Sequence, residues 1–300
     1  MTAAQKCELL SNMMQYVTHK SRLFPDKFIY KEAALIGESE LDALIEKEIL
    51  EKSAKTNGEG VGVFVNKQEN ITFLINSDTH FKIKTTVNGF DFKAAYNIAS
   101  MYDDFICGEL PLAFSEKYGY LFQDILKCGT GFEVSALLHL PSLEYTEGLK
   151  RYAENMKVFG ILIEECDCGG SLYKIKNVLT SGISEEEGIA NLIKVTEMLS
   201  REELNLRESL KDDVYILRDM LDAAEMLKNV MTLSFSEMLI AFSLIRVGVS
   251  LGLITGIDTQ ELNKYMKILG DASIKEAYPF DEVEKRRAKL VKSLFSKVYY

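Results

Sequence analysis

Residues 127–141, KCGTGFEVSALLHLP, set a Gly129-Thr130-Gly131 turn at the head of an apolar run. A glycine turn of this kind can receive a phosphate through successive backbone N–H groups, whose partial positive charges face the anion. Glu133 follows two residues later with a charge that repels phosphate, so the stretch is either a phosphate site or only a tight turn. Cys166-x-Cys168 offers two thiols to a metal, yet no second Cys pair or Cys/His pair stands near it at zinc spacing, and no metal is expected. Five cysteines form an odd set in a chain of this size, which reads as reduced thiols rather than a disulfide framework.

The elements that must position these residues come from a 300-residue chain of formal net charge -10. The acidic balance, with no basic run clear of acidic neighbours, argues against nucleic acid and anionic membrane as partners. No stretch reaches the roughly 18 consecutive apolar residues of a membrane span, and the N-terminus has no signal layout, so a cytoplasmic location is expected.

Helices are expected near 5–17 and over 39–51, the second capped by Ser39 with Asp42 three residues on. VGVFVN (61–66), NITFLIN (70–76) and HFKIKTT (80–86) alternate apolar and polar residues across short polar breaks, which predicts neighbouring antiparallel strands. A helix over 92–107 ends at Gly108, where a left-handed cap is easy. Strands fit 132–140, 158–165 and 172–179, with a helical stretch over 145–157. From Ser184 onward, Ser184 with Glu187, Ser234 with Glu237 and Asp258 with Glu261 each open a run of helical periodicity. Residues 233–256 are the most apolar of these runs and are expected as a core helix or a dimer face. The soft boundary near 205–215 divides the chain into 1–208 and 209–300.

Several pieces fall in one order and spacing: Asn76 with His80, EKYGYL (116–121), GTG (129–131), Ser135 with His139-Leu140-Pro141, GISEEE (182–187), VGVSLGLITGI (247–257) and EKRRAKLVKSL (284–294). Together they resemble the guanidino kinases, and within them most closely the bacterial protein-arginine kinases. The resemblance covers about residues 28–300. It implies an α+β fold, a guanidino-kinase-like antiparallel sheet flanked by helices, followed by an all-α C-terminal domain. It also implies transfer of the ATP γ-phosphoryl group to a protein arginine. That chemistry needs cations for the phosphates, a carboxylate for the guanidinium and a closing loop.

Position by position, the implied machinery is altered. The family's N-E-E-D-H-L-R appears as Asn76-Ser77-Asp78-Thr79-His80-Phe81-Lys82, so the catalytic carboxylate is Ser77 and a phosphate-binding arginine is Lys82. Asp78 could substitute only from the next position, and adjacent strand residues point to opposite faces. The guanidinium-pocket segment Cys-Pro-Thr-Asn is replaced by Asp124-Ile125-Leu126-Lys127, Cys128 falls four positions late, and a second arginine is Glu133. A third arginine is Glu164, ahead of a shortened loop, and the arginine-rich N-terminal segment of the family has no counterpart. In the phosphoarginine-binding R-D-x-x-R-A motif only the second arginine remains, as Arg287; the bland alternative puts Arg286 and Arg287 on a solvated helix face. His80 and His139 stand where the family has histidine and read as scaffold. At about 4 Å and an effective dielectric of 20, two unit charges interact by about 4 kcal/mol, so exchanging arginine for glutamate opposes ATP in the family's pose.

The resulting expectation is a pseudokinase without a cofactor, a homodimer acting as a binding, regulatory or scaffold protein, with an active protein-arginine kinase or its regulator as partner. Its alternative is an active phosphotransferase with ATP and Mg, using Asp78 or Asp124 as base and Lys82 and Lys127 as cations. An assembly module built on the 233–256 face is the third class.

Overall fold

The computed structural model describes residues 2–20, 24–56, 60–107, 112–122, 124–166 and 169–300. The expected cap at Gly108 and the second thiol of the Cys166-x-Cys168 pair lie outside them. Two compact units divide the chain, Met1–Pro111 with Gly270–Phe280, and Leu112–Leu269 with Asp281–Tyr300.

The first unit is built on a sheet of order β1-β2-β3-β4, comprising β1 (Phe28–Glu32), β2 (Gly62–Asn66), β3 (Ile71–Ile75) and β4 (Phe81–Thr85). All three pairings are antiparallel, with Phe64 opposite Phe73 and Leu74 opposite Lys82. The three expected strands are therefore present, and β1 joins them as an edge strand that the short stretch FIYKE did not announce. Every residue of β2 and β3 is buried because both faces are covered. Phe64, Ile71, Phe73 and Ile75 pack with Leu10, Met13 and Val17 of α1 (Ala3–Lys20) and with Tyr102 and Ile106. The last two lie on a helix over Phe92–Cys107. The opposite face sets Val63, Val65 and Leu74 against Leu44, Ile49, Leu50 and Ala54.

Leu44 lies on α2 (Glu38–Glu46), which differs from the expected helix over 39–51. Gly37 is its N-cap, without a side-chain cap bond, and Ser39 sits inside the first turn. The helix stops early because Glu48 takes a left-handed conformation, φ 55°, and a single 3-10 turn, Lys52–Lys55, follows. Burial of Ile49 and Leu50 is thus achieved by a loop, and that of Ala54 by the 3-10 turn. The helix over Phe92–Cys107 is α3. A segment from far along the chain, Asp271–Ala277, packs on α2, where Glu46 accepts from the N–H and hydroxyl of Ser273, each at 2.9 Å.

The second unit opens with a two-stranded pair, β5 (Phe114–Ser115) and β6 (Gly119–Tyr120), and a three-stranded antiparallel sheet of order β7-β9-β8. These are β7 (Ser135–His139), β8 (Ile161–Glu165) and β9 (Leu172–Asn177). Between β7 and β8 the expected single helix is two, α4 (Pro141–Tyr145) and α5 (Gly148–Lys157), broken where Glu147 is left-handed. The helices that follow are α6 (Glu185–Leu210), α7 (Val214–Asn229), α8 (Phe235–Ser250), α9 (Thr259–Ile268), α10 (Asp271–Ala277, of the first unit) and α11 (Val283–Phe295). Reciprocal capping boxes open α6 at Ser184 and Glu187 and α8 at Ser234 and Glu237. Asp258 caps α9 one way, accepting from the Glu261 N–H. Met238, Leu239, Phe242 and Ile245 of α8 are buried within the chain, which makes this run a core helix. No described helix is long and apolar enough to cross a membrane.

Candidate functional site

Ser77 and Asp78 are not strand neighbours. β3 ends at Ile75, Asn76 turns left-handed, and its N–H closes the 76–80 loop on the His80 carbonyl at 3.0 Å. Asn76 is buried and donates through Nδ2 to the carbonyls of Gly60 (2.7 Å) and Lys6 (3.0 Å), so it is a fastener of this loop. His80 is exposed beside it. The Asp78 carboxylate accepts a 2.6 Å bond from the Ser53 hydroxyl.

The register with β3 puts Lys82 and Lys84 on the face that α2 and the 47–55 loop cover, and both reach that loop. Lys82 Nζ donates to Glu51 Oε1 at 2.7 Å, and Lys84 Nζ donates to the Glu48 carbonyl at 2.5 Å. Glu51 Oε2 also accepts from the Asp78 N–H at 3.0 Å. The Ser77 hydroxyl oxygen is buried without a well-formed hydrogen bond, yet lies near enough to Glu51 to favour its charged form. Burial pushes the Glu51 carboxyl up, but the bond and charge of Lys82, with Ser77 and the Asp78 N–H, outweigh it and hold the group down to about 2. A carboxylate therefore stands beside the position where the resemblance expects one, but it comes from residue 51.

The Gly129-Thr130-Gly131 turn answers its two readings through its N–H groups. Gly129 N–H donates to the Tyr120 carbonyl, Thr130 N–H to the Thr180 carbonyl, and Phe132 N–H to the Thr130 hydroxyl. A side chain at Gly129 would place its Cβ 2.2 Å from the Thr180 oxygen. The turn is a packed junction between β6 and the 177–184 connection, with these three donors already engaged. Glu133 and Asp124 are exposed and Lys127 is half-buried.

Directly opposed residues of an antiparallel pair share a face. Glu164 opposes Lys174, Leu162 and Ser135 oppose Lys176, and Leu137 opposes Lys174. One face of the β7-β9-β8 sheet thus carries Glu164, Lys174 and Lys176, with Leu137 left 57% exposed. Glu164 accepts from Lys176 Nζ at 2.6 Å, a cross-strand ion pair. Neither lysine was singled out from the sequence, because only the strand register places them beside Glu164.

His139 belongs to a polar network of the second unit. Arg207 donates from Nη2 to its Nδ1 (3.1 Å), and since a guanidinium only donates, the imidazole proton resides on Nε2, 2.7 Å from the Ser243 hydroxyl. Burial, then the charges of Arg207 and Arg246, push the imidazole down to about 2 and keep it neutral. Glu203 joins Arg207 (2.6 Å) to the α4 N–H groups of Ser142 and Leu143. Arg287 is fully buried and donates to the carbonyls of Leu269 and Leu233, each at 2.8 Å. The solvated-face reading of Arg287 is thereby corrected: it ties α11 to the ends of two other segments, while Arg286 is half-buried near Asp281.

The candidate residues fall into two groups. Ser77, Asp78, His80, Lys82 and Glu51 lie in the first unit; Asp124, Lys127, Glu133, Glu164 and Arg287 lie in the second. No group of three or more metal-ligating side chains occurs among the described residues. The acidic side chains at 133 and 164 do not suit the polyphosphate that the family's arginines would hold.

The fold and these motif positions define a guanidino-kinase architecture. Solved structures share it: the duplicated taurocyamine kinase of Schistosoma mansoni superposes with a TM-score of 0.62 at 18% identity, over 77% of this chain and 36% of that one. Lombricine kinase superposes with a TM-score of 0.57 at 17% identity, over 69% of this chain and 62% of that one. The chain thus spans about a third and under two thirds of these kinases' lengths. Among sequence relatives, a protein-arginine kinase of Halothermothrix orenii is 32% identical over 270 residues, covering 86% of this chain and 77% of the relative. One of Clostridium acetobutylicum is 31% identical over 258 residues, covering 84% and 76%. The profile of the ATP:guanido phosphotransferase C-terminal catalytic domain matches residues 10–206. The chain belongs to the ATP:guanido phosphotransferase family.

Proposed function

We propose that this chain is a protein-arginine-kinase-like member of the family that has given up phosphoryl transfer and acts by binding, as a regulatory or scaffold protein. The observation that carries the reading is the state of the charges at the family's phosphate positions. Glu164 is paired with Lys176, Glu133 is acidic, and the cation Lys82 is neutralised by Glu51. Each of these opposes a polyphosphate, and Ser77 cannot act as a base toward a group as basic as guanidinium. The reading places the protein in the cytoplasm as a homodimer of a kinase-like part, 1–208, and a helical part, 209–300, working without a cofactor. An active protein-arginine kinase, or its regulator, is the partner it suggests.

Thermal unfolding of the full chain with and without millimolar ATP and Mg tests it. An unchanged midpoint is expected; a nucleotide-dependent rise overturns the loss of nucleotide binding.

A second reading, an active phosphotransferase with a rebuilt site, is favoured by one observation: the Glu51 carboxylate beside Ser77. The relatives named as protein-arginine kinases agree with it. In that reading Asp78 or Asp124 is the base and Lys82 and Lys127 are the cations, although Asp78 is engaged by Ser53 and Lys82 by Glu51.

A further inference from the structure

Arg246 of α8 is 8% exposed, and no carboxylate pairs with it among the described residues. Burial, then the charge of Arg207, pulls its guanidinium down to about 10, which leaves it a cation at neutral pH. The carboxylate of this network, Glu203, is committed to Arg207 and to the α4 N–H groups. Arg246 Nη2 instead donates to two residues of α9, the side-chain oxygen of Asn263 and the sulfur of Met266, the latter at 2.8 Å. Its Nε is buried and donates to nothing. Nε and Nη2 lie on one edge of the planar guanidinium fork, and a thioether is a weak acceptor, so this edge of a buried cation is only partly answered. An unanswered buried donor is costly. Met266 is only half-buried, beside the exposed Asn263, which leaves it open to a small solute.

We infer that Met266 is a peroxide-responsive modification site whose sulfoxide oxygen is captured by the buried Arg246 guanidinium. The sulfur lone pair attacks one oxygen of hydrogen peroxide; the S–O bond forms and the O–O bond breaks. The proton of the attacked hydroxyl passes to the departing hydroxide, which leaves as water, so sulfur is oxidised by two electrons and peroxide is reduced by two. The new oxygen is a strong acceptor placed at the Nη2 end of the edge, within reach of Nε, and its bond to a guanidinium is charge-assisted. Sulfoxidation ordinarily disrupts packing because it makes an apolar side chain polar. At this position it answers a donor that the reduced chain leaves dry, so the modified form ties α9 to α8 more firmly, and sulfoxide reduction reverses it. The inference concerns the helical part alone and holds whether or not the chain transfers phosphate.

The test treats the folded full chain and its Met266→Leu variant with hydrogen peroxide, locates the sulfoxides by peptide mass spectrometry, and measures urea unfolding before and after. The variant subtracts the effect of the other methionines. Met266 should oxidise in the native chain, and its sulfoxide should raise the folding equilibrium constant about tenfold relative to the matched change in Met266→Leu, the factor that one charge-assisted bond supplies. In an Arg246→Leu background the same comparison should show no gain. Should that variant not fold, the wild-type chain still decides the matter by NMR: the Arg246 Nε–H resonance should move downfield on oxidation, as a bonded proton does. A native Met266 that resists peroxide, a gain below about threefold or a net loss, a gain that survives removal of Arg246, or an unmoved Nε–H overturns the inference.

Discussion

Glu51 and Lys82, 31 positions apart, meet at 2.7 Å between the loop that follows α2 and the edge strand β4. The pair sets Lys82, which stands where the family resemblance places an arginine, against a carboxylate that its sequence neighbourhood gives no reason to expect there.

Stability in acid follows from this pair. Its folded carboxyl titrates at about 2, against an ordinary 4.5, so the group is depressed by folding. It contributes stability above pH 4.5 that is lost as pH falls from 4.5 toward 2. Urea titrations from pH 6 to 3 should show wild type losing more stability below pH 4.5 than Glu51→Gln, and parallel curves would contradict the assignment.

His139 predicts a second, separate window. Its folded imidazole is held at about 2 against an ordinary 6.5, so its contribution is complete above pH 6.5 and declines as pH falls below it. His139→Gln should flatten the fall in urea midpoint between pH 7.5 and 5.5. A slope unchanged by the substitution would mean that the imidazole titrates alike in both states.

Arg287 is predicted to be a stability residue. Removing it leaves the buried carbonyls of Leu269 and Leu233 without a donor they have now. Arg287→Ala should cost about 3 kcal/mol in urea unfolding, and Arg287→Lys should recover only part, because an ammonium lacks the guanidinium fork. A loss below about 0.5 kcal/mol, the range of ordinary surface changes, would return Arg287 to a solvent-facing role.

The two glycines of the 129–131 turn should differ. Gly129 has φ +125° and no room beside the Thr180 oxygen, whereas Gly131 faces the edge of the Phe122 ring at 3.3 Å. Gly129→Ala should lower stability by more than about 2 kcal/mol and Gly131→Ala by about 1 kcal/mol, read from chemical denaturation. Equal effects would contradict the packed-junction reading.

Much of this was legible in the sequence where interactions are local. Capping at Ser184, Ser234 and Asp258 depends on residues three apart, and each cap is present. The three strands from 61 to 86 declare themselves by alternation and keep their expected neighbours. The end of α2 was not legible, because tertiary burial of Ile49 and Leu50 by a loop outweighs local helical pattern. The site divides the same way. Ser77, Glu133 and Glu164 could be placed by motif, but Glu51 and Lys176 owe their roles to a packed loop and a strand register that no short spacing encodes.

The central claim, loss of phosphoryl transfer, is tested most directly by incubating the full chain with Mg·ATP and an arginine-rich protein and detecting phosphoarginine by ³¹P NMR and mass spectrometry. The account predicts no phosphoarginine above the enzyme-free control. Turnover that depends on this chain would contradict it.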